Sequence, residues 1–190
     1  MRFLYGRNDF ATLERGQENC YLLTNGLGGF SSMTMIGSCS RNDHALLMSC
    51  EKEEAPNHRY NMVHHLTEEL TADSRTVFLS SQEYSNKKEN EDGYRYQTAF
   101  SYEIYPAWSY LMSGVTVEKK VVMAQEKNVI AVSYRIINRS NREAVLKVTP
   151  GLQFVPKGHF LSKDQTFEVS DMEETKESVQ PRKESAELKI

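Results

Sequence analysis

Apolar and polar residues alternate along much of the chain, with the period of two that a half-buried β-strand produces. The clearest region is residues 114–155, where segments 115–123, 128–137 and 144–149 are separated by short polar turns. In the second segment alternate apolar side chains share one face: Ile130, Val132, Tyr134 and Ile136. Successive strands at this spacing are typical of an antiparallel β-sandwich. We therefore predict a mainly β fold with little helix.

The first half of the chain carries the same pattern less regularly. It predicts strands at residues 20–24, 31–38, 44–52 and 94–103. Segment 44–52 is apolar on both faces, which is typical of a strand inside a sandwich. Residues 59–70 are ambiguous, because the spacing of their apolar residues suits a helix as well as a strand.

The composition changes after residue 160. Half of residues 171–190 are charged, and residues 186–190 alternate like a strand that is just beginning. We predict a β-sandwich domain over residues 1–170, followed at 171–190 by a charged tail or a truncated continuation of the sandwich. The second alternative implies that the chain is part of a larger protein.

Charge and composition exclude several classes of protein. The 190 residues carry a net charge of −3 with acidic and basic residues mixed, whereas a nucleic-acid surface needs a concentrated basic patch. No apolar run is long enough to cross a membrane, and the N-terminus turns polar too early for a secretory signal. Three cysteines without metal-type spacing fit a reducing compartment. We predict a cytoplasmic protein with no nucleic-acid or membrane partner.

A glycine-rich loop at residues 25–30, Asn-Gly-Leu-Gly-Gly-Phe, separates two strand candidates. A phosphate-binding loop would need a helix directly after the glycines, with its free N–H groups facing the phosphate. Here a β-like segment rich in Ser, Thr and Met follows, and no Gly-Lys-Ser/Thr occurs. The loop is thus a structural turn or a sugar-facing loop, and we predict no cofactor.

The same residues carry a resemblance to a known family. Residues 24–30, Thr-Asn-Gly-Leu-Gly-Gly-Phe, followed by Ser32 and by Arg41, His44, Leu46 and Leu47, resemble the N-terminal domain of bacterial and archaeal glycogen debranching enzymes of the amylo-α-1,6-glucosidase type. The sequence departs from the family pattern at Tyr21 (for Trp), at Asn42 and Asp43 (for Arg-Tyr) and at Ala45 (for Gly). These departures indicate a distinct subfamily.

The resemblance implies a fold and a partner. The fold would be a large sandwich of the kind seen in glucoamylase N-terminal and mutarotase-like domains, with residues 59–80 forming a hairpin that turns at 71–74. The catalytic carboxylates of the family lie on a C-terminal (α/α)6 barrel, which this chain has no room for. The implied partners are that barrel and an α-glucan such as glycogen or maltodextrin, and the parent reaction is hydrolysis of α-1,6-linked glucose.

The residues themselves argue against catalysis by this chain alone. A glycosidase needs two carboxylates flanking the scissile bond. Glu68 and Glu69 are adjacent, so on a strand they point to opposite faces and cannot share one substrate. We predict no catalytic residue here and no glycosidase activity of the isolated chain.

Six residues are candidates for contact with the glucan: Asn25, Gly28, Arg41, Asp43, His44 and Trp108. On an extended segment Arg41 and Asp43 share one face, and such a pair forms two-pronged hydrogen bonds to sugar hydroxyls or braces the loop. An aromatic ring such as that of Trp108 stacks on sugars, but it more commonly fills a core.

Two further functions stay open. One is a stand-alone glycan-binding module. The other is a mutarotase-like sugar epimerase that recruits a histidine (His44, His64, His65 or His159) as acid and a glutamate as base. A metal site at His64 and His65 is disfavoured, because neighbours on a strand diverge and no third ligand lies nearby in sequence.

Overall fold

A computed structural model of the protein describes residues 2–50, 58–84, 90–162, 164, 167–172, 176–181 and 188–189. Most of these residues form antiparallel β-strands. Helix is limited to α1 (Leu13–Gln17) and two 3-10 turns at Arg7–Phe10 and Gly93–Arg95. The prediction of a mainly β fold with little helix is therefore confirmed.

In chain order the strands are β1 (Phe3–Gly6), β2 (Leu23–Thr24), β3 (Phe30–Ser32), β4 (Ala45–Cys50), β5 (Arg59–Ala72), β6 (Arg75–Phe78), β7 (Ser81–Gln82), β8 (Glu91–Asp92), β9 (Gln97–Tyr102), β10 (Pro106–Met112), β11 (Val115–Met123), β12 (Ile130–Asn138), β13 (Ala144–Pro156), β14 (Phe167–Met172), β15 (Lys176–Pro181) and β16 (Leu188–Lys189). The larger two sheets have the orders β1-β9-β10-β11-β12 and β13-β5-β4-β3-β2, with β6 also paired to β5, and β7 pairs with β8 in a small separate sheet.

The two sheets share one apolar core. The first sheet contributes Phe100, Trp108, Tyr110, Val117 and Val121, and the second contributes Leu46, Leu47, Met62, Val63 and Leu70. Every residue of β4 is buried, as the apolar pattern on both of its faces predicted. Burial of such side chains stabilises the fold by roughly 1.5–3 kcal/mol each before chain entropy is counted.

Trp108 lies in the middle of this core, with none of its surface exposed. Its ring meets Tyr21 edge-on at a centroid distance of 5.6 Å and packs against Phe100 at 5.2 Å. The indole Nε1–H donates to the carbonyl of Met35 over 2.9 Å. The commoner role of a buried tryptophan, filling the core, is thus the one that this residue takes.

Strand β5, with 14 residues, is the longest described strand of the second sheet. It pairs with β13 along one edge, while its two halves pair with β4 and β6 along the other. The tight turn to β6 lies at Asp73 and Ser74, whose φ angles of 53° and 60° are those that a two-residue hairpin of type I′ requires. The predicted hairpin over residues 59–80 is confirmed.

Several strand predictions differ from the structure in detail. The strand expected at 94–103 begins at residue 97, because Gly93 starts a 3-10 turn packed so closely on Leu79 that a Cβ would lie 2.0 Å from the Leu79 carbonyl oxygen. Ile136, expected to be inward, is 43% exposed. It lies on β12, which is at the edge of its sheet and pairs with β11 alone among the described strands.

Residues near the C-terminus form their own three-stranded sheet, in the order β14-β15-β16. The boundary predicted at residue 170 falls inside β14. The division into a sandwich over 1–170 and a separate segment over 171–190 stays a prediction.

A buried ion pair joins the two sheets. Glu68 on β5 and Lys119 on β11 are 1% and 3% exposed, with their Oε1 and Nζ atoms 2.8 Å apart. The hydroxyl of Tyr134 on β12 donates to the same carboxylate oxygen. Glu69 points the other way and pairs with Lys147 at the surface, so the expectation that Glu68 and Glu69 occupy opposite faces is confirmed.

These two lysine–glutamate pairs give a matched test. Lys119→Met leaves the Glu68 carboxylate buried without its counter-charge, so we expect a loss of about 3–5 kcal/mol in the free energy of unfolding in urea. Lys147→Met breaks the exposed pair and costs less than about 1 kcal/mol. Adding Glu68→Gln to Lys119→Met removes the stranded charge and recovers much of the loss. Equal effects of the two lysine substitutions would contradict this interpretation.

Candidate functional site

The glycine loop, residues 25–30, is held from beneath by Asn25. This side chain is fully buried, and its Nδ2 donates to the Lys127 carbonyl at 3.0 Å and to Asn128 Oδ1 at 2.9 Å. Its Oδ1 accepts from the backbone N–H of Leu27 at 2.9 Å. Asn25 therefore ties the loop to the turn that follows β11, and its polar atoms are used inside the protein.

Close packing and backbone conformation explain why residues 28 and 29 are glycines. Gly28 has φ +95°, and its carbonyl accepts from Arg59 Nε at 2.7 Å. A Cβ on Gly29 would lie 2.7 Å from both Asn25 Nδ2 and Asn128 Oδ1. The loop is thus shaped by contacts within this chain, and Gly28 presents backbone to Arg59 and Cys50.

The second predicted segment, residues 41–44, immediately precedes β4. Arg41 and Asp43 are exposed. His44 is buried; its Nδ1 accepts from the backbone N–H of Ser40 at 3.2 Å. Burial lowers the pKa of His44, with the neighbouring Arg41 charge acting in the same direction and Asp43 against it. His44 is a neutral anchor for a charged loop.

The structure does not bring the two predicted segments together. Gly28 lies against Cys50, the last residue of β4, whereas His44 precedes its first residue. Six residues of strand separate these points by roughly 20 Å. Of the six candidates, Arg41 and Asp43 are on the surface, while Asn25, His44 and Trp108 are buried. Contact of these residues with a glucan stays a prediction.

A polar cavity of about 230 Å³ opens beside the 41–44 segment. We call it the Asn61 cavity. Three parts of the chain line it: the segment before β4, the strands β5 and β13, and the residues after β13. The lining residues are Cys39, Ser40, Arg41, Asn42, Asn61, His64, Gln153, Gly158, His159 and Phe160.

A β-bulge in β5 shapes this cavity. Gly151 of β13 lies opposite His65 and Leu152 lies opposite Val63, so His64 is an extra residue on its strand. The rings of His64 and His65 consequently lie 5.6 Å apart, centroid to centroid. The expectation that these neighbours diverge is wrong, because the bulge breaks the alternation. Among the described residues, no group of three or more His, Cys, Asp or Glu is placed to hold a metal ion.

His64 is neutral at physiological pH. Burial, followed by the nearby His65 and His44, lowers its pKa to about 4. Its Nδ1 accepts from Asn61 Nδ2 at 3.2 Å, so the proton of the neutral ring resides on Nε2. Asn61 is 6% exposed, and its Oδ1 has no hydrogen-bond partner among the described residues. An unsatisfied buried acceptor costs about 1–3 kcal/mol, which a bound ligand can recover.

A second polar cluster lies behind His65. The Tyr84 hydroxyl is 2.8 Å from His65 Nε2 and donates to Glu91 Oε1 at 2.8 Å, and Thr67 donates to the same oxygen at 3.0 Å. Burial acts to raise the pKa of Glu91, but its interactions with His65, Ser80 and Tyr84 outweigh burial and lower it to about 2. Glu91 is thus a permanently ionised acceptor.

This cluster does not form the acid–base pair of a sugar epimerase. His65 Nε2 and Glu91 Oε1 are 3.9 Å apart, with the Tyr84 hydroxyl bonded to both. No sugar ring fits between groups at that separation. The sequence pointed to His65 but not to Asn61, Tyr84 or Glu91, because a single polar residue in a strand carries no distinctive pattern and the bulge at His64 hides the alternation.

Comparisons with known proteins gave one match. A family model described as "Glycogen debranching enzyme N terminal" matches residues 19–190. This match confirms the resemblance found at residues 24–47. Comparisons with curated proteins and with solved structures gave no significant match. Among the described residues, no helix has the length and hydropathy needed to cross a lipid bilayer.

The packing of the glycine loop predicts a position-specific penalty. Gly29→Ala puts a methyl group against Asn25, Asn128 and the Met48 carbonyl, so we expect a loss of about 1–3 kcal/mol in thermal or urea unfolding. Gly6→Ala is the control, since a Cβ there has no neighbour within 4 Å. Equal stability of the Gly29→Ala and Gly6→Ala proteins would contradict the close packing of the glycine loop at residue 29.

The low pKa of His64 predicts a pH dependence. Between about pH 6.5 and 4 an unfolded histidine binds a proton while folded His64 does not, so stability falls as pH falls through this window. The maximum contribution is about 3 kcal/mol. His64→Gln should lose less stability than the parent between pH 7 and 5. A His64 ring that titrates near pH 6.5 in NMR would contradict this.

Proposed function

Because the chain belongs to the glycogen debranching enzyme N-terminal family, we propose that it is the non-catalytic β-sandwich domain of a glycogen-debranching glycoside hydrolase. In this proposal the domain packs on a C-terminal (α/α)6 catalytic barrel and borders the α-glucan cleft of that barrel. The observation that carries the proposal is the family match over residues 19–190, which takes in every strand except β1.

The state of Glu68 and Glu91, the glutamates that are buried among the described residues, supports a non-catalytic role. A glycosidase general acid needs a raised pKa, and its partner carboxylate must lie across the scissile bond. Glu68 forms an ion pair with Lys119 and accepts a hydrogen bond from Tyr134 in the core. Glu91 has a pKa of about 2, which is the opposite of what a proton donor at neutral pH requires. The reacting acids are therefore assigned to the barrel.

The 41–44 segment is the part of this domain that we assign to the border of the cleft. Arg41 and Asp43 are exposed, and the buried His44 anchors the segment that carries them. Exposed charged groups on an anchored loop are suited to hydrogen bonding with sugar hydroxyls. The glycine loop, by contrast, is assigned a bracing role, since its Asn25 and Gly29 pack against the body of the domain.

A second candidate function is a stand-alone glycan-binding module. The polar Asn61 cavity favours it, because the described residues that line it offer hydrogen-bonding groups and include no carboxylate. The two functions differ in one respect. A binding module acts without a partner, whereas the debranching domain contributes to hydrolysis only when it is joined to a barrel.

Release of glucose from a branched limit dextrin tests the proposal. We expect none from the isolated chain, and we expect activity when the chain is joined to the helical domain of a family member. A barrel without the sandwich should be at least tenfold less active, because part of the cleft is missing. Glucose release by the isolated chain would overturn the assignment. Full activity of a barrel that lacks this domain would overturn it as well.

A further inference from the structure

We propose that the Asn61 cavity binds one glucosyl unit at the non-reducing end of an α-glucan. The hydrogen-bonding groups and the cavity come from the structure alone. The choice of glucose among hexoses rests on the proposed function.

Asn61 lines the cavity and carries an unused acceptor. Its Nδ2 is committed to His64 Nδ1, while its Oδ1 has no partner among the described residues. Buried amide oxygens in folded proteins are nearly always hydrogen-bonded. Because this oxygen is buried as the side chain stands, a ligand hydroxyl completes the amide once Asn61 turns its oxygen toward the cavity.

The walls supply the complementary donors. His64 accepts at Nδ1, so its neutral ring presents an N–H at Nε2. Arg41 is exposed beside it and offers guanidinium N–H groups. An acceptor and two kinds of donor around one small space suit a ligand whose groups both donate and accept, as sugar hydroxyls do.

An aromatic ring stands at the mouth. Phe160 is 86% exposed, although it is a large apolar side chain that is normally covered. Aromatic faces pack against the C–H face of a sugar ring, which places its hydroxyl groups toward polar partners. Phe160 thus gives the cavity an apolar side without closing it.

The size of the cavity limits the ligand. About 230 Å³ is below the roughly 300–1,000 Å³ of sites that take drug-sized molecules, so one ring enters and the rest of a chain stays outside. Arg41 is the lysine or arginine among the described residues that line the cavity, and none of these lining residues is a carboxylate. One positive charge of this kind also attracts anions, so the test below includes inorganic phosphate.

The test uses the full 190-residue chain and NMR signals of the His64 ring and the Asn61 side-chain amide. We expect saturable shifts with glucose, with maltotriose and with maltotriitol, whose reducing end is opened while its non-reducing end is intact. Sorbitol, which has the hydroxyls of glucose without the ring, should give none. Response to glucose and maltotriose but not to maltotriitol would overturn the assignment to the non-reducing end.

Matched variants locate the binding. Arg41→Ala and Phe160→Ala should each weaken the affinity for maltotriose several-fold, and Asn61→Leu should weaken it about tenfold. Arg135→Ala and Ile104→Ala change exposed residues outside the cavity and should leave it unaltered. Because Arg41 and Phe160 are at the surface, their variants stay informative even if Asn61→Leu fails to fold.

Two results would overturn the proposal. One is the absence of any saturable shift with the sugars, and the other is a response of the same signals to inorganic phosphate alone. Both results are compatible with glucose release by the chain joined to a barrel. A wrong assignment of the Asn61 cavity is therefore distinguishable from a wrong proposed function. Sugar binding without restored hydrolysis would instead favour the stand-alone module.

Discussion

The ion pair between Glu68 and Lys119 constrains how the two sheets can be placed. Each charge lies in the apolar layer, where an unpaired charge is costly, so the pair forces β5 and β11 into one relative position. Tyr134 adds a hydrogen bond from the next strand, and Lys119 also lies 5.2 Å from the Trp108 ring centroid. The centre of the sandwich is therefore specified by polar geometry as well as by apolar packing.

The position of β5 then determines the site. Its first half carries Asn61 and the bulge at His64, and its second half carries Glu68. The bulge reverses the alternation between these two parts, so His64 faces the cavity while Glu68 faces the core. One strand thus connects the ion pair that aligns the sheets with the groups that line the candidate site.

The family pattern at residues 24–47 divides into two structural roles. The glycine loop packs against Asn128 and the end of β4, and it stabilises the domain. The 41–44 segment lies at the other end of β4, where it borders the Asn61 cavity. A continuous sequence motif therefore serves two regions about 20 Å apart, because a buried strand lies between its halves.

The sequence by itself determined the class of fold, the opposite faces of Glu68 and Glu69, and the family, whereas the hairpin at β5 and β6 was implied only by the family resemblance. These follow from local alternation, turn chemistry and a contiguous motif, all of which are encoded over a few residues. Only the tertiary structure decided that Trp108 fills the core, that His64 and His65 lie side by side, and that Asn61 is left with an unused oxygen. Those outcomes depend on which strands meet and where the register slips, and pairing between distant segments leaves no signal in either segment alone.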